Sequence, residues 1–411
     1  MSVDRPHRPL FMRALNRMGP LLAPRWPSLA ADELLESAIH SVGSEAFGDE
    51  SFREGLELLL ASAEREAGLH WLGRLMLRKS IEGFLINRLE IYRHRRAHPE
   101  LMQVPVDGPI FIVGLPRTGT TILFNLLAQD PSNRVPRHWE VQWPAPPPQT
   151  DSYETDPRIE EAVKYFGQMD SLAPSLATIH PVGAELPQEC LPILGHSFLG
   201  PQFFVTADVP NYQAWVESQS HASAYRFHRH FLQHLASGHM AERWALKSPA
   251  HLWTLDELLA EYPDARIIHS HRDPAKALPS LGSLIYTIRG IASDAVDPKR
   301  IGRQQMQTWG RALDRATEAR RRFTNRTDQF IDLQFEEIVA DPVAALGRAY
   351  EHFSLPFGRA VEDRMRAFVA ANPREQHGRH DYTLEDFGME LSAIRERFAP
   401  YMDAFGVKPV M

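Results

Sequence analysis

A chain of 411 residues with 43% hydrophobic and 24% charged side chains can bury a large core, which excludes wholesale disorder and the fibrous classes. Its net charge of −7 argues against a nucleic-acid-binding surface but leaves room for a local basic pocket. The single cysteine, Cys190, rules out an intrachain disulfide, and no apolar run approaches the roughly 18 residues of a membrane-spanning helix.

The first thirty residues carry Arg5, Arg8, Arg13, Arg17 and Arg25 among Leu10, Phe11, Leu15 and Leu22, with proline breaking any uninterrupted apolar core. The expectation is an arm packed on the domain, with peripheral membrane contact as the second reading, a processed or targeting segment as the third, and a cytoplasmic location. Residues 31–100 read as helical, with apolar faces at Leu34, Leu35, Ala38 and Ile39, then around Phe52–Ala63, then from Leu69 to about Arg95. The register changes at Ile110–Val113, a short β-branched run followed at once by Gly114-Leu-Pro-Arg-Thr-Gly-Thr-Thr121 and by helical spacing at Ile122, Leu123, Leu126 and Leu127. Pro136 to Pro148 is proline-dense and holds Trp139 and Trp143, which suggests an irregular pocket wall. Residues 157–240 read as mostly helical, with aromatic interruptions at Phe198–Phe204 and Tyr212–Trp215.

Further strands are expected at Trp244–Lys247, Ala265–Ser270 and Phe330–Leu333. Helices are expected at Leu252–Glu261, 301–320 and Pro342–Phe353. The fold class is therefore α/β: a P-loop-like three-layer domain with a mainly parallel sheet and an N-terminal helical extension. Residues 1–104 form the arm and cap. Residues 105–411 form the α/β domain, with a mostly helical substrate insertion at about 150–240.

Strand, glycine loop and helix make an anion site. Gly114 and Gly119 allow backbone N–H groups to converge on phosphate, with Pro116 inside the turn. Thr118, Thr120 and Thr121 add hydroxyl donors at a helix N-terminus, and Arg117 adds a planar cationic fork. The two glycines have the spacing of the ATPase loop, yet Thr120 stands where that loop needs lysine. A second anion cluster is Arg272 with Ser280, and Lys247-Ser-Pro249 is a third candidate at a strand end.

Together Leu115–Thr121, Arg272-Asp-Pro274 with Ser280, and Lys247-Ser-Pro249 resemble the sulfotransferase superfamily, especially the bacterial branch related to protein-tyrosine sulfotransferases. The likeness runs from about Pro109 to Phe357. It implies sulfuryl transfer from 3′-phosphoadenosine 5′-phosphosulfate to a hydroxyl or amine. The aromatic-rich insertion makes a small or lipid-like acceptor the expectation, and the protein donors around the leaving phosphate mean that no metal is required in principle. The resemblance places the 5′-phosphosulfate on Arg117–Thr121 and the 3′-phosphate on Arg272 and Ser280, and it matches Lys247 to a lysine that steadies the sulfonate. Arg117 replaces the lysine of many members, a mild departure.

Glu140, in Arg137-His-Trp-Glu140, resembles the general base of the tyrosine-sulfating branch, although His138 is the residue twenty-one positions after Arg117. Glu185 and His180 stay open as alternatives. The tail offers Arg374, His377, Arg379 and His380, of which Arg379 is the candidate for closing over the donor. His230 and His234 have metal-ligand spacing on a helix but no third ligand. The competing readings are a nucleotide kinase or ATPase, and a scaffold that binds nucleotide without catalysis.

Overall fold

The computed structural model describes residues 16, 18, 26–172, 182–240, 242–373 and 383–410. The basic residues of the N-terminal arm, His180, and the tail candidates Arg374, His377, Arg379 and His380 lie outside the described residues.

Five parallel strands form one sheet in the order β2-β3-β1-β4-β5. They are β1 (Ile110–Gly114), β2 (Asn133–Arg134), β3 (Arg243–Lys247), β4 (Arg266–His271) and β5 (Phe330–Gln334). Because β1 lies in the middle of the sheet, it is apolar and buried at every position. Its residues alternate between two cores. Phe111 and Val113 join Leu246 and Ile267 in the larger one, while Ile110 and Ile112 join Ala245, Ile268 and Leu333 in the other. Helices cover both faces, so the domain has three layers.

The segment Pro136–Pro148, expected to be irregular, contains a short helix at His138–Gln142. A helix too short for a periodic signal is invisible to pattern reading, and this one is fixed by its cap instead. The Thr120–Leu127 helix stops at Ala128, before Pro131 is reached.

The N-terminal helices Ala31–Val42, Phe52–Glu66 and Trp71–Ala97 bury Leu34, Phe52, Leu56 and Leu85 in a separate core. That core also takes Phe198, Phe203 and Tyr212 from the middle of the chain. Arg88 ties these parts together. Only 2% exposed, it donates to the carbonyls of Phe47 (2.8 Å) and His196 (3.3 Å), and its guanidinium lies 4.6 Å from the Phe52 ring and 4.8 Å from Phe227. Burial pushes its pKa down to about 10. Arg88→Met leaves those carbonyls unpaired, and chemical denaturation is expected to read a loss of about 2–4 kcal/mol.

Candidate functional site

The site begins where β1 ends. Gly114 has φ 149°, and a Cβ there would lie 2.3 Å from Ser270 Oγ on the neighbouring strand, so only glycine fits. Thr118 is fully buried. Its hydroxyl donates to the Leu115 carbonyl (2.7 Å) and meets Ser270 Oγ at 2.6 Å, so it pins the loop to β4 rather than facing an incoming anion. Gly119 caps the following helix at φ 88°. Arg117 holds φ 71°, a left-handed conformation that costs a non-glycine residue roughly 1 kcal/mol or more. It is exposed, as is Thr121, whereas Thr120 is buried and Pro116 half-buried.

The second anion cluster converges on this loop. Ser280 Oγ accepts from Arg117 Nε at 3.1 Å, and Arg272 Nη1 donates to the Arg117 carbonyl at 2.6 Å. The separation in sequence is 163 residues for the first contact and 155 for the second. Parallel pairing of Gly114 with Ser270 brings the two turns side by side. Ser280 sits in the Pro274–Ala292 helix, whose N-cap is Asp273. That aspartate is wholly buried and accepts from Ala275 N (2.9 Å), Val410 N (2.8 Å) and both terminal nitrogens of Arg395 (2.6 Å each). Burial raises its pKa, but those donors outweigh burial and hold it below the usual carboxylate range. The Arg-Asp-Pro turn is thus an anchor for the Leu391–Phe405 helix as well as a mount for Arg272.

Lys247 ends β3 beside Ile112, 3% exposed, with its ammonium paired to Glu189 and 5.8 Å from the Phe124 ring. Glu189 is the residue that sequence reasoning passes over. It precedes the Cys190–Gly195 helix and is 58 positions from Lys247, with no motif around it. The only local hint is an acidic residue at a helix start. Its side chain keeps 17% of its surface exposed.

The base candidates named above fall differently. Glu140 is completely buried and fully engaged. It accepts from Arg134 Nη2 (2.8 Å), from the Arg137 N–H (2.9 Å) and from Tyr153 OH (3.3 Å). Burial, then the Glu140 charge, pushes the Tyr153 phenol well up. His138 is buried, its Nδ1 2.9 Å from the Leu186 carbonyl, and Glu185 is exposed near Arg137.

One group of three residues has metal-ligand geometry among the described residues: His269, His271 and Asp332. The carboxylate is already held by Arg320 at 2.8 and 2.9 Å and by His271 at 2.9 Å. The cluster faces Tyr401 and Phe405, on the side of β4 opposite Ser270.

A small cavity lies between the Cys190–Gly195 helix and the Pro249–Trp253 turn, with Glu217, His221 and Arg315 among its lining residues. Leu194, Leu199, Phe204, Tyr225, Ala250 and Trp253 supply its apolar walls, and its volume is about 20 Å³.

Residues 109–359 match the family model described as Sulfotransferase family. The solved sulfotransferase STF1 from Mycobacterium tuberculosis H37Rv is 33% identical, with 90% of this chain and 98% of that one aligned at TM-score 0.80. STF9 from Mycobacterium avium is 29% identical over 93% of this chain and 98% of its own, at TM-score 0.86. The omega-hydroxy-beta-dihydromenaquinone-9 sulfotransferase Stf3 of Mycobacterium bovis is 27% identical over 313 residues, 74% of this chain and 76% of the relative.

Proposed function

This chain belongs to the sulfotransferase family, and from that premise we propose that it transfers the sulfuryl group of 3′-phosphoadenosine 5′-phosphosulfate to a lipid-like alcohol. The observation that carries the donor is the convergence of Arg117, Ser280 and Arg272 on one loop. Two phosphates on one nucleotide need two cationic clamps a short distance apart, and a nucleoside triphosphate needs only the loop. In this reading Gly114–Thr121 holds the 5′-phosphosulfate through backbone N–H groups, Arg117, Thr120 and Thr121, with Thr118 bracing the loop from behind. Arg272 and Ser280 take the 3′-phosphate. Lys247 meets the sulfonate oxygens, and Arg379 stays a proposed additional clamp.

We assign the general base to Glu189 rather than Glu140. A base must reach a proton of the acceptor. Glu140 has no exposed surface and three hydrogen-bonded partners, whereas Glu189 is partly accessible and touches Lys247. The acceptor oxygen attacks sulfur as Glu189 takes its proton. The bond from sulfur to the bridging oxygen breaks, and its electron pair stays on the 5′-phosphate, where Arg117 and the loop N–H groups stabilise it. Lys247 offsets charge on the sulfonate through the transfer.

The alcohol is inferred from the omega-hydroxy-beta-dihydromenaquinone-9 in the name of the Stf3 relative. The resemblance to the tyrosine-sulfating branch is kept for the loop and Lys247 alone. We also propose that residues 1–104 form an arm and helical cap packed on the domain at 105–411.

Calorimetric titration with 3′-phosphoadenosine 5′-phosphate and with ATP tests the donor. The bisphosphate is expected to bind at least tenfold tighter, and Arg272→Ala to erase most of that preference, as loss of a bidentate charged contact does. Tighter ATP binding would sink the reading.

A further inference from the structure

The last residues of β4 and β5 pair as His271 with Gln334, so the next residue of each strand emerges beside the other. Those residues are Arg272 and Phe335. The Arg272 guanidinium lies 3.8 Å from the centre of the Phe335 ring, the shortest cation–aromatic distance among the described residues. Phe335 opens the Phe335–Ala340 helix, and the same helix sends buried Ile338 against the donor loop. A Cβ on Gly119 would lie 3.0 Å from Ile338 Cγ2. One short helix therefore touches both phosphate clamps.

An arginine reads phosphate by presenting a flat fork in a fixed plane. A half-exposed arginine otherwise loses rotamer freedom when it binds, and that loss weakens binding. Here the plane is held by an aromatic face, and one terminal nitrogen is held by the Arg117 carbonyl at 2.6 Å. We propose that Phe335 is the positioning residue of the 3′-phosphate clamp: its ring fixes the Arg272 guanidinium and thereby sets the preference for a 3′-phosphorylated nucleotide. This rests on the reading that Arg272 takes the 3′-phosphate.

The test is calorimetric binding of 3′-phosphoadenosine 5′-phosphate and of adenosine 5′-monophosphate. It uses the full chain and its Phe335→Leu, Phe335→Met, Phe335→Tyr and Arg272→Ala variants. The quantity read is the ratio of the two affinities. Phe335→Leu and Phe335→Met should lower it about tenfold, the size of a partly desolvated cation–π contact. Phe335→Tyr keeps the aromatic face and should keep the ratio, whereas Arg272→Ala should abolish it. Both nucleotides carry the 5′-phosphate, so damage to the loop alone weakens both equally and leaves the ratio unmoved. An unmoved ratio in Phe335→Leu and Phe335→Met, with Arg272→Ala still abolishing it, overturns the proposal and spares the donor assignment. A wild-type protein that binds both nucleotides equally, or an Arg272→Ala variant with the original ratio, overturns the donor assignment and this proposal with it.

Discussion

Glu189→Gln is expected to lower kcat by a factor of about 10²–10⁴, the usual contribution of a positioned general base. Glutamine preserves the shape and one hydrogen-bond acceptor toward Lys247, so the geometry of the loop and clamps is kept, although the 3% exposed ammonium loses its counter-charge and stability falls here as well. Affinity for 3′-phosphoadenosine 5′-phosphate should stay within about threefold of wild type. Glu140→Gln should behave in the opposite way. It removes the carboxylate paired with Arg134, whose side chain is 6% exposed, and the uncompensated charge costs roughly 3–5 kcal/mol of stability. What remains folded should turn over at a rate close to wild type. Initial-rate kinetics and chemical denaturation on both variants separate the two roles. A Glu189→Gln enzyme with undiminished kcat, beside a folded Glu140→Gln enzyme that has lost it, would move the base to Glu140.

These two glutamates illustrate what the sequence carries and what it hides. The donor loop is legible because each element is contiguous: a β-branched run, a glycine turn and a helix, within Ile110–Leu127. The partnership with Arg272 and Ser280 is legible through resemblance, since no local rule places residues more than 150 positions apart in contact. Glu140 attracts attention because it follows the loop in sequence, yet its side chain turns inward to complete a helix N-terminus and neutralise Arg134. Glu189 reaches the site only because β3 and the start of the Cys190–Gly195 helix meet in space. Phe335 is hidden for the same reason: sheet register, not sequence distance, puts it on Arg272.

Thr118 carries a related lesson. Its place in the loop suggests a phosphate ligand, but zero exposure and hydrogen bonds to the Leu115 carbonyl and to Ser270 on β4 make it part of the scaffold. Thr118 and Thr120 are buried and Thr121 is exposed, and the sequence does not mark which is which. Thr121, exposed at the first helical turn, is the better donor.

The histidines predict a steep loss of stability in acid. His196, His228 and His234 are buried and pushed down to about 3, and His221 to about 4, in each case first by burial. In the unfolded chain they titrate near 6.5. Between those values the unfolded state holds a proton that the folded state does not, so stability falls as pH falls through this window. Each group contributes roughly 1 kcal/mol per pH unit there. Four together, at pH 5, remove several kcal/mol from a net stability on the order of 5–15 kcal/mol. Asp332 and Asp273, both held below the carboxylate range, add losses of the same sign only at lower pH. Urea midpoints should therefore drop sharply between pH 7 and pH 5, well above the range where carboxylates titrate. His228→Phe removes one buried imidazole, at the expense of its 2.8 Å contact with Tyr262 OH, and should flatten the pH slope by about one proton's worth. A midpoint that holds steady from pH 7 to pH 5 would mean that these imidazoles are charged, or hydrated, in the folded protein.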